Sequence, residues 1–301
     1  MKPRLEAEPT EQLGGDFAGR EFPFTPADFD KIAEILHAEI GIVLDQGKMP
    51  LVYSRLTKRL RALGLKSFED YYARISTLAG AGERRLMIEA LTTNVTRFFR
   101  EAHHFDHLAT EILPNLVDEA RKGGRVRLWS AGCSSGEEPY CMALSVLALL
   151  PDARRYDIKI LATDIDTQVL AQGREGRYSN AAVARIDPAL RERWMIREDG
   201  ATGAGAPTWR MGEDMRALVS FRTANLLGAW PMTGPFQVIF CRNVVIYFDE
   251  ALRDEVLRKM AQLLSRDGHL YVGHSERVSL DISDLKFVGL STYRRVGGVP
   301  I

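Results

Sequence analysis

The stretch RVRLWSAGCSSGEEPY, residues 125–140, decides the fold. It begins with apolar, β-favouring residues, which are typical of a buried parallel strand. Gly132 and Gly136 then predict a turn in which a missing Cβ lets a ligand approach the backbone. Glu137 and Glu138 fall in the first turn of a following helix, where a proline is also tolerated. A strand, a glycine-containing turn and a helix N-terminus form the ligand-binding corner of an open α/β sheet.

The chemistry of this corner indicates the kind of ligand. The glycine spacing is G-x-x-x-G, so the dinucleotide fingerprint G-x-G-x-x-G is absent. Two carboxylates at the start of the helix would repel a pyrophosphate, although helix N-termini favour anions in general. S-adenosylmethionine suits the corner better, because it carries an ammonium group, a sulfonium and ribose hydroxyls. The alternative is that Glu137 and Glu138 only complement the helix dipole, at about 0.3–1 kcal/mol each.

Composition limits the class of protein. The chain has 301 residues, 46% hydrophobic and 27% charged, which predicts a soluble protein with one large and one smaller domain. Lys+Arg and Asp+Glu number 40 each, so no global basic field favours a nucleic-acid partner. No apolar run approaches the ~20 residues that span a bilayer, and the N-terminus lacks a signal-peptide pattern. We expect a cytoplasmic protein without membrane insertion. The three cysteines lack disulfide-framework or metal-site spacing.

The first hundred residues predict a disordered tail, 1–21, and a small helical domain, 22–92. Capping patterns begin helices at residues 26 and 68, and apolar residues recur at helical spacing over 26–40. Residues 46–68 carry six basic side chains and no acidic one. These basic side chains form either a solvated helix surface or a docking surface for an acidic partner, and both interpretations stay open.

The segment TTNVTRFFREAHHF, residues 92–105, links the helical domain to the sheet domain. Its alternating polar and apolar residues indicate either a packed hinge or a strip of ligand contacts. His103, His104 and His107 suggest a metal site, but neither a third-ligand geometry nor a nearby cysteine supports one. We expect a packed or solvated helix start and no metal.

Further along, IKILAT predicts a second buried strand, residues 158–163. It ends in Asp164 and Asp166. An acidic residue at this distance from the first turn is placed to accept hydrogen bonds from ribose hydroxyls, whereas an acidic residue before a helix can also cap it. We expect Asp166 to cap and Asp164 to bind.

The remainder of the chain predicts an inserted β-hairpin and more strands. Glycine and proline residues separate two short strand-like runs within 183–218. Buried strands are expected at 219–222, 236–241 and 268–273, and a helix at 250–264. The last two strands, 286–289 and 292–296, predict a hairpin at one edge.

Six segments, in order, resemble the chemotaxis receptor methyltransferases, the CheR family: TTNVTRFFREAHHF, WSAGCSSGEEPY, ATDID, ANLL, FCRNVVIYFD and GHSER. The resemblance covers about residues 24–296. It implies an α/β fold, a class I S-adenosylmethionine-dependent methyltransferase with a doubly wound, mostly parallel sheet and an N-terminal all-α domain. The linker 93–105 would contribute to the cofactor site, and the methyltransferase domain, 106–301, would carry an inserted antiparallel β-subdomain at about 185–218.

The resemblance also implies the activity and its residues. A methyl group would pass from S-adenosylmethionine to glutamate side chains on the cytoplasmic helical bundle of methyl-accepting chemotaxis receptors, in adaptation, leaving S-adenosylhomocysteine; we expect a monomer. Tyr247 would lie beside the transferring methyl and orient the nucleophile by a hydrogen bond, and Arg100 would hold either the incoming carboxylate or the carboxylate of the cofactor. The cofactor contacts implied are Asn94, Thr96, Arg100, Glu138, Asp164, Asn225, Leu226, Arg242 and Asn243.

Two features concern the receptor. Family members place a basic helix of the N-terminal domain against the receptor, which makes Arg55, Lys58, Arg59 and Arg61 the docking candidates. The loop EDGATGAGAPTW, residues 198–209, is longer than the compact turn of members that tether to a receptor's C-terminal peptide. We therefore expect methylation independent of a tether.

The residues favour carboxyl methylation on chemical grounds too. A glutamate side chain, with a pKa near 4.3, is ionised at neutral pH and needs no general base. The sequence contains no convincing nucleophile–base–orienter set, which suits this reaction. The alternatives are a methyltransferase for another substrate, such as a nucleobase amine, and a degenerate domain that only binds. Neutral overall charge argues against the nucleobase substrate.

Overall fold

The computed structural model describes residues 20–199 and 207–297. The chain divides into two compact units. We call residues 20–38 with Val43–Leu91 the helical unit, and Glu39–Ile42 with residues 92–297 the sheet unit. The predicted tail, apart from residues 20 and 21, and residues 200–206 of the long loop lie outside the described residues.

The helical unit contains helices whose starts were predicted from their caps. Thr25 and Asp28 form the expected capping box, with Asp28 N donating to Thr25 Oγ1 at 3.2 Å and Thr25 N to Asp28 Oδ2 at 2.9 Å. Ser67 caps the third helix by accepting from Asp70 N. Phe29 and Leu56 lie in the buried core of the helical unit. The helices are α1 Pro26–Ile40, whose last two residues group with the sheet unit, α2 Met49–Leu63, α3 Phe68–Ile75 and α4 Ala81–Leu91.

The sheet unit alternates strands and helices. Its strands are β1 Val126–Ala131, β2 Ile158–Asp164, β3 Arg177–Ser179, β4 Met195–Glu198, β5 Thr208–Met211, β6 Val219–Thr223, β7 Phe236–Cys241, β8 Leu264–Val272, β9 Leu285–Gly289 and β10 Thr292–Arg295. Its helices are α5 Ala102–His107, α6 Leu113–Arg121, α7 Glu137–Leu149, α8 Thr167–Glu175, α9 Asn180–Val183, α10 Pro188–Trp194, α11 Glu213–Leu218 and α12 Glu250–Leu263. A π-helical turn, Leu108–Ile112, joins α5 to α6.

The large sheet has the strand order β6-β2-β1-β7-β8-β10-β9. The first five strands are parallel, and β10 runs antiparallel to both β8 and β9. The predicted fold class and the predicted edge hairpin are therefore confirmed. Because β1 lies between β2 and β7, the strand order reverses beside it, and ligands of open α/β sheets bind at such a switch point.

Helices cover both faces of this sheet. On β1, Leu128 packs with residues of α6 and α7, whereas Trp129 packs with residues of α12. This alternation follows from the two-residue period of a strand. The central strands are buried on both sides, as their near-continuous apolar sequence predicts.

A second, antiparallel sheet has the order β3-β5-β4. The predicted hairpin is its β4–β5 pair, in which Met195 lies opposite Met211. Strand β3 lies before the range expected for the insertion, about 185–218; its three residues follow Gly176 and are too few for an alternating pattern. In the described part of the chain, no helix combines the length and apolarity needed to cross a bilayer.

Candidate active site

A cleft lies in the sheet unit at the carboxyl ends of β6, β2, β1 and β7. It encloses about 930 Å³ of empty space, its open mouth included, which is within the roughly 300–1,000 Å³ of small-molecule pockets. All ten residues that the resemblance assigns to the cofactor or to catalysis line this one cleft: Asn94, Thr96, Arg100, Glu138, Asp164, Asn225, Leu226, Arg242, Asn243 and Tyr247.

The predicted turn after β1 is present, and its first glycine has a second structural reason besides the approach of a ligand. Gly132, Ser134 and Gly136 all have positive φ, at +74°, +48° and +96°. A Cβ on Gly132 would lie 2.3 Å from the Val244 side chain, so this glycine makes room for packing as well as lining the cleft. The N–H of Gly132 donates to the carbonyl of Thr163 at 2.8 Å, which fixes the turn against β2.

Of the two aspartates at the end of β2, Asp166 forms the predicted helix cap and Asp164 lies in the cleft. Asp166 caps α8, its Oδ1 accepting from Gln168 N at 2.8 Å. Asp164 lines the cleft, and its carboxylate accepts from the N–H of Ser134 at 2.8 Å and of Asp166 at 3.0 Å. Burial raises the pKa of Asp164, while these N–H bonds oppose the rise.

Asn94 ties the linker to the strand ends. Its Nδ2 donates to Asp166 Oδ2 at 2.7 Å, and its carbonyl accepts from Ser134 Oγ at 2.9 Å. The linker therefore forms one wall of the cleft, and Asn94 uses its side chain within the protein. Ser134 was not singled out from the sequence; its position between two glycines was the available signal.

Arg242 and Glu138 form a buried ion pair beneath the cleft. Arg242 Nε donates to Glu138 Oε2 at 2.8 Å, and Ser130 Oγ donates to Glu138 Oε1 at 2.7 Å. Arg242 Nη1 also donates to the carbonyl of Arg100 at 2.6 Å. The two side chains are 2% and 10% exposed. The charge of each side chain is therefore compensated by the other inside the protein. Only the structure reveals this, because the two residues are far apart in the sequence.

The guanidinium of Arg242 also contacts aromatic rings and a histidine. It lies 5.2 Å from the centroids of both Phe105 and Phe240. His104 Nε2 lies 2.6 Å from the carbonyl of Leu290, so this nitrogen carries the proton, and Nδ1 accepts from Arg242 Nη1 at 3.2 Å. Burial first, then the Arg242 charge, lowers the pKa of His104 to about 4, and the imidazole is neutral at pH 7.

Of the histidines considered as metal ligands, His104 is the one that makes the contacts with Arg242 and Leu290. One ligand atom each of Glu101, His103 and His104 lies within 4.8 Å of the others, but both His104 nitrogens have partners and a cationic guanidinium adjoins them. Burial acts to raise the pKa of Glu101; the charge of Arg242 and a hydrogen bond from His274 outweigh it, and that pKa is lowered. His107 instead bonds the Tyr271 hydroxyl at 2.8 Å. Glu101 was missed in the sequence reasoning, because nothing local signals its charged neighbours.

The docking candidates lie on α2 of the helical unit, and three of the four make internal bonds. Arg55 Nη1 donates to the carbonyl of Leu91 at 2.9 Å, at the end of α4. Arg59 binds Glu83 with two hydrogen bonds, of 2.9 and 2.7 Å. Arg61 pairs with Glu21, and Lys58 is exposed.

These contacts separate the basic residues into two groups. The side chain of Arg59 is only 26% exposed and its partner Glu83 6%, so this pair stabilises the helical unit. The side chain of Arg61 is 56% exposed. Lys58 and Arg61 are therefore the more exposed candidates, Arg61 with Glu21 as its partner, whereas the sequence pattern alone placed all four on the outer face.

Two family models match the chain. The one described as CheR methyltransferase, SAM binding domain, matches residues 94–294, and the one described as CheR methyltransferase, all-alpha domain, matches residues 27–92. The chain belongs to the CheR methyltransferase family. It is an S-adenosylmethionine-dependent methyltransferase of chemotaxis, as the sequence resemblance predicted.

Curated relatives of this CheR chain match along nearly their whole length. A probable chemotaxis protein methyltransferase of Rhizobium etli is 46% identical over 261 residues, covering 86% of this chain and 96% of the relative. Chemotaxis protein methyltransferase 2 of Pseudomonas aeruginosa is 39% identical over 292 residues, covering 95% and 99%. A solved glycopeptide N-methyltransferase, MtfA with sinefungin, is 15% identical with a TM-score of 0.30, and the match covers 55% of this chain and 49% of that one.

Proposed function

We propose that this CheR-family enzyme converts glutamate side chains of chemoreceptors into methyl esters, and that it works in the cytoplasm as a monomer on the receptors' helical bundle. The observation that carries the proposal is the convergence of all ten assigned residues on one cleft, although they come from separate parts of the chain. The absence of a nucleophile–base–orienter set in the sequence supports a substrate that is already a nucleophile.

The residues of the cleft fit S-adenosylmethionine. The Asp164 carboxylate, at the carboxyl end of β2, would accept hydrogen bonds from the ribose hydroxyls. Asn225, Leu226 and the backbone after β1 would hold the rest of the cofactor. When bound, the cofactor supplies a methyl group on a sulfonium.

Arg100 and Tyr247 would receive the substrate. Arg100 Nη1 donates to the carbonyl of Val95 at 3.0 Å, and a guanidinium carries five donors, so this bond leaves others for an incoming carboxylate. Tyr247 lines the cleft with a half-buried ring, and its hydroxyl would donate to the same carboxylate. Together they would align one carboxylate oxygen, and the cleft would exclude water from it.

The Arg242–Glu138 pair would support these residues from below. Because Arg242 holds the carbonyl of Arg100, it fixes the backbone from which the Arg100 side chain projects. We propose that Glu138 and Arg242 act at the cofactor cleft chiefly through this arrangement.

The first experiment is transfer of radiolabelled methyl from S-adenosylmethionine to membranes that carry chemoreceptors, followed by mild alkali. Label released as volatile methanol is the expected result, because esters hydrolyse and N-methyl groups do not. Transferred label that resists alkali would refute ester formation. Absence of transfer, with S-adenosylhomocysteine bound normally, would instead favour a binding module.

For docking, we propose that Lys58 and Arg61 attract the acidic methylation region of the receptor. The double variant K58E/R61E should raise the KM for receptor several-fold and leave affinity for S-adenosylhomocysteine unchanged, because neither residue belongs to the sheet unit. Lys122→Glu, an exposed reversal on the sheet unit, is the matched control. An unchanged KM in the double variant would exclude this docking surface.

We also propose that methylation is independent of a tether peptide. The support is the length of the loop between β4 and β5, of which residues 200–206 lie outside the described range. Titration with a receptor's C-terminal peptide in a calorimeter should give no saturable heat. Saturable binding would overturn tether independence and leave ester formation untouched.

A further inference from the structure

The segment from Arg242 to Tyr247 carries several cleft residues, yet it is neither strand nor α-helix. It leaves the carboxyl end of β7, and Asn243 takes a left-handed backbone, with φ +60°. Val244 follows with φ −118° and ψ −53°, in the right-handed region. Successive residues of opposite hand turn their N–H groups toward one side, which forms a nest that binds an anion.

The anion in this nest is the carboxylate of Glu276. Its Oε2 accepts from Asn243 N at 2.8 Å and Gly273 N at 2.5 Å. Its Oε1 accepts from Val244 N at 2.9 Å and Ile246 N at 3.1 Å. Four backbone donors therefore converge on one side chain that is 3% exposed. Buried N–H groups need partners, and these four find theirs on Glu276.

The turn that carries Glu276 is shaped for this contact. Glu276 N donates back to the carbonyl of Gly273 at 2.8 Å, so the turn after β8 closes on itself. A Cβ on Gly273 would lie 2.8 Å from Glu276 Oε2 and 2.7 Å from Asn243 Nδ2. Only glycine leaves room here for the carboxylate to approach.

We infer that Glu276 is a positioning residue, whose carboxylate fixes the backbone of residues 243–246 and so sets the places of Asn243 and Tyr247 in the cleft. The segment is held by three contacts: Arg242 binds Glu138, Val244 packs over Gly132, and Glu276 accepts from the N–H groups of residues 243, 244 and 246. The first two contacts use side chains. Of these three contacts, the one with Glu276 is made to backbone N–H groups of the segment.

The test is S-adenosylhomocysteine binding by calorimetry, which does not depend on the receptor glutamate. Glu276→Gln keeps the length but removes the charge and directs an NH₂ group at N–H donors. Its Kd should rise about ten-fold or more, because charged hydrogen bonds are the strong ones. Glu276→Asp keeps the charge on a shorter stem and should give an intermediate Kd.

A matched control separates positioning from general stability. Val117→Ala removes buried volume from α6 and lowers stability without touching the cleft. Its Kd should stay within about two-fold of the parent at a temperature where both are folded. A folded Glu276→Gln with the parent's Kd would overturn the inference. If Glu276→Gln does not fold, Glu276→Asp decides: an intermediate Kd with faster amide exchange at Val244 supports it, and the parent's Kd refutes it.

Discussion

Glu138→Gln should destabilise the sheet unit strongly, because it leaves a buried guanidinium with only the more distant carboxylate of Glu101, 3.5 Å from Nη1, as its counter-charge. The side chain of Arg242 is 2% exposed. Removing one partner of a buried ion pair costs about 3–5 kcal/mol. Arg242 keeps the carbonyl of Arg100 and the ring of His104, so we expect the lower end, about 3 kcal/mol.

The assay is unfolding by urea or heat, followed for the sheet unit. A loss of about 3 kcal/mol in a domain of 150–250 residues lowers Tm by roughly 6–12 °C. Glu119→Gln, the same chemical change at an exposed site on α6, should stay within about 0.5 kcal/mol. The effect of Arg242→Met should be smaller in the Glu138→Gln background than in the parent, since the two changes remove one interaction.

Equal losses for Glu138→Gln and Glu119→Gln would refute the reasoning. Strict additivity of Glu138→Gln and Arg242→Met would also refute it, because a buried pair must couple energetically.

Three further predictions come from the described contacts. Arg59→Ala should lower the free energy of unfolding in urea by about 2–3 kcal/mol, because it removes the ion-pair partner of the buried Glu83 carboxylate, whereas Lys58→Ala should change it by about zero. Similar losses for the two variants would contradict the assignment of Arg59 to stability and Lys58 to the solvent-exposed charge of α2. The pKa of His104 lies at about 4 in the folded chain and near 6.5 in the unfolded chain, so the unfolded chain binds the proton first and the free energy of unfolding falls as the pH drops from about 6.5 towards 4. His104→Gln should lose less of this free energy between pH 7 and pH 5 than the parent does. An equal loss in the variant and the parent would refute the prediction. Gly132→Ala and Gly123→Ala both place a Cβ at positive φ, but only the first meets another atom within 4 Å, so its Tm should fall further by the equivalent of roughly 1–3 kcal/mol; equal falls would contradict the packing argument.

The sequence predicted those parts of the fold that depend on local pattern. The strands flanking the cleft follow from apolar runs, and Asp166 and Ser67 follow from capping rules. The gathering of the site was predictable too, because the carboxyl ends of parallel strands meet at one edge. Strand β3 was missed, since three residues carry no period.

The partners of the charged side chains were beyond sequence reasoning. Arg242 and Glu138 are 104 residues apart, and Arg59 and Glu83 are 24 apart. Which charges meet depends on how the start of α7 lies against the residue that follows β7, and on how α2 packs beside α4, and no local pattern encodes that. The sequence pattern therefore treated all the basic side chains of α2 as exposed. In the structure Arg59 and Arg61 are paired with carboxylates, so α2 carries less free charge than its composition indicated.

The distribution of strained backbone supports a reaction governed by alignment. Among the described residues, seven other than glycine have positive φ; Ser134 and Asn243 line the cleft, and Phe99 and Glu101 adjoin Arg100, which also lines it. Such conformations cost on the order of 1–3 kcal/mol each and persist only where surrounding contacts enforce them. Phe99 and Glu101 flank Arg100, and Asn243 begins the segment that ends at Tyr247. The strain therefore falls beside the two residues proposed to align a carboxylate with a methyl group, which needs fixed positions more than it needs proton transfer.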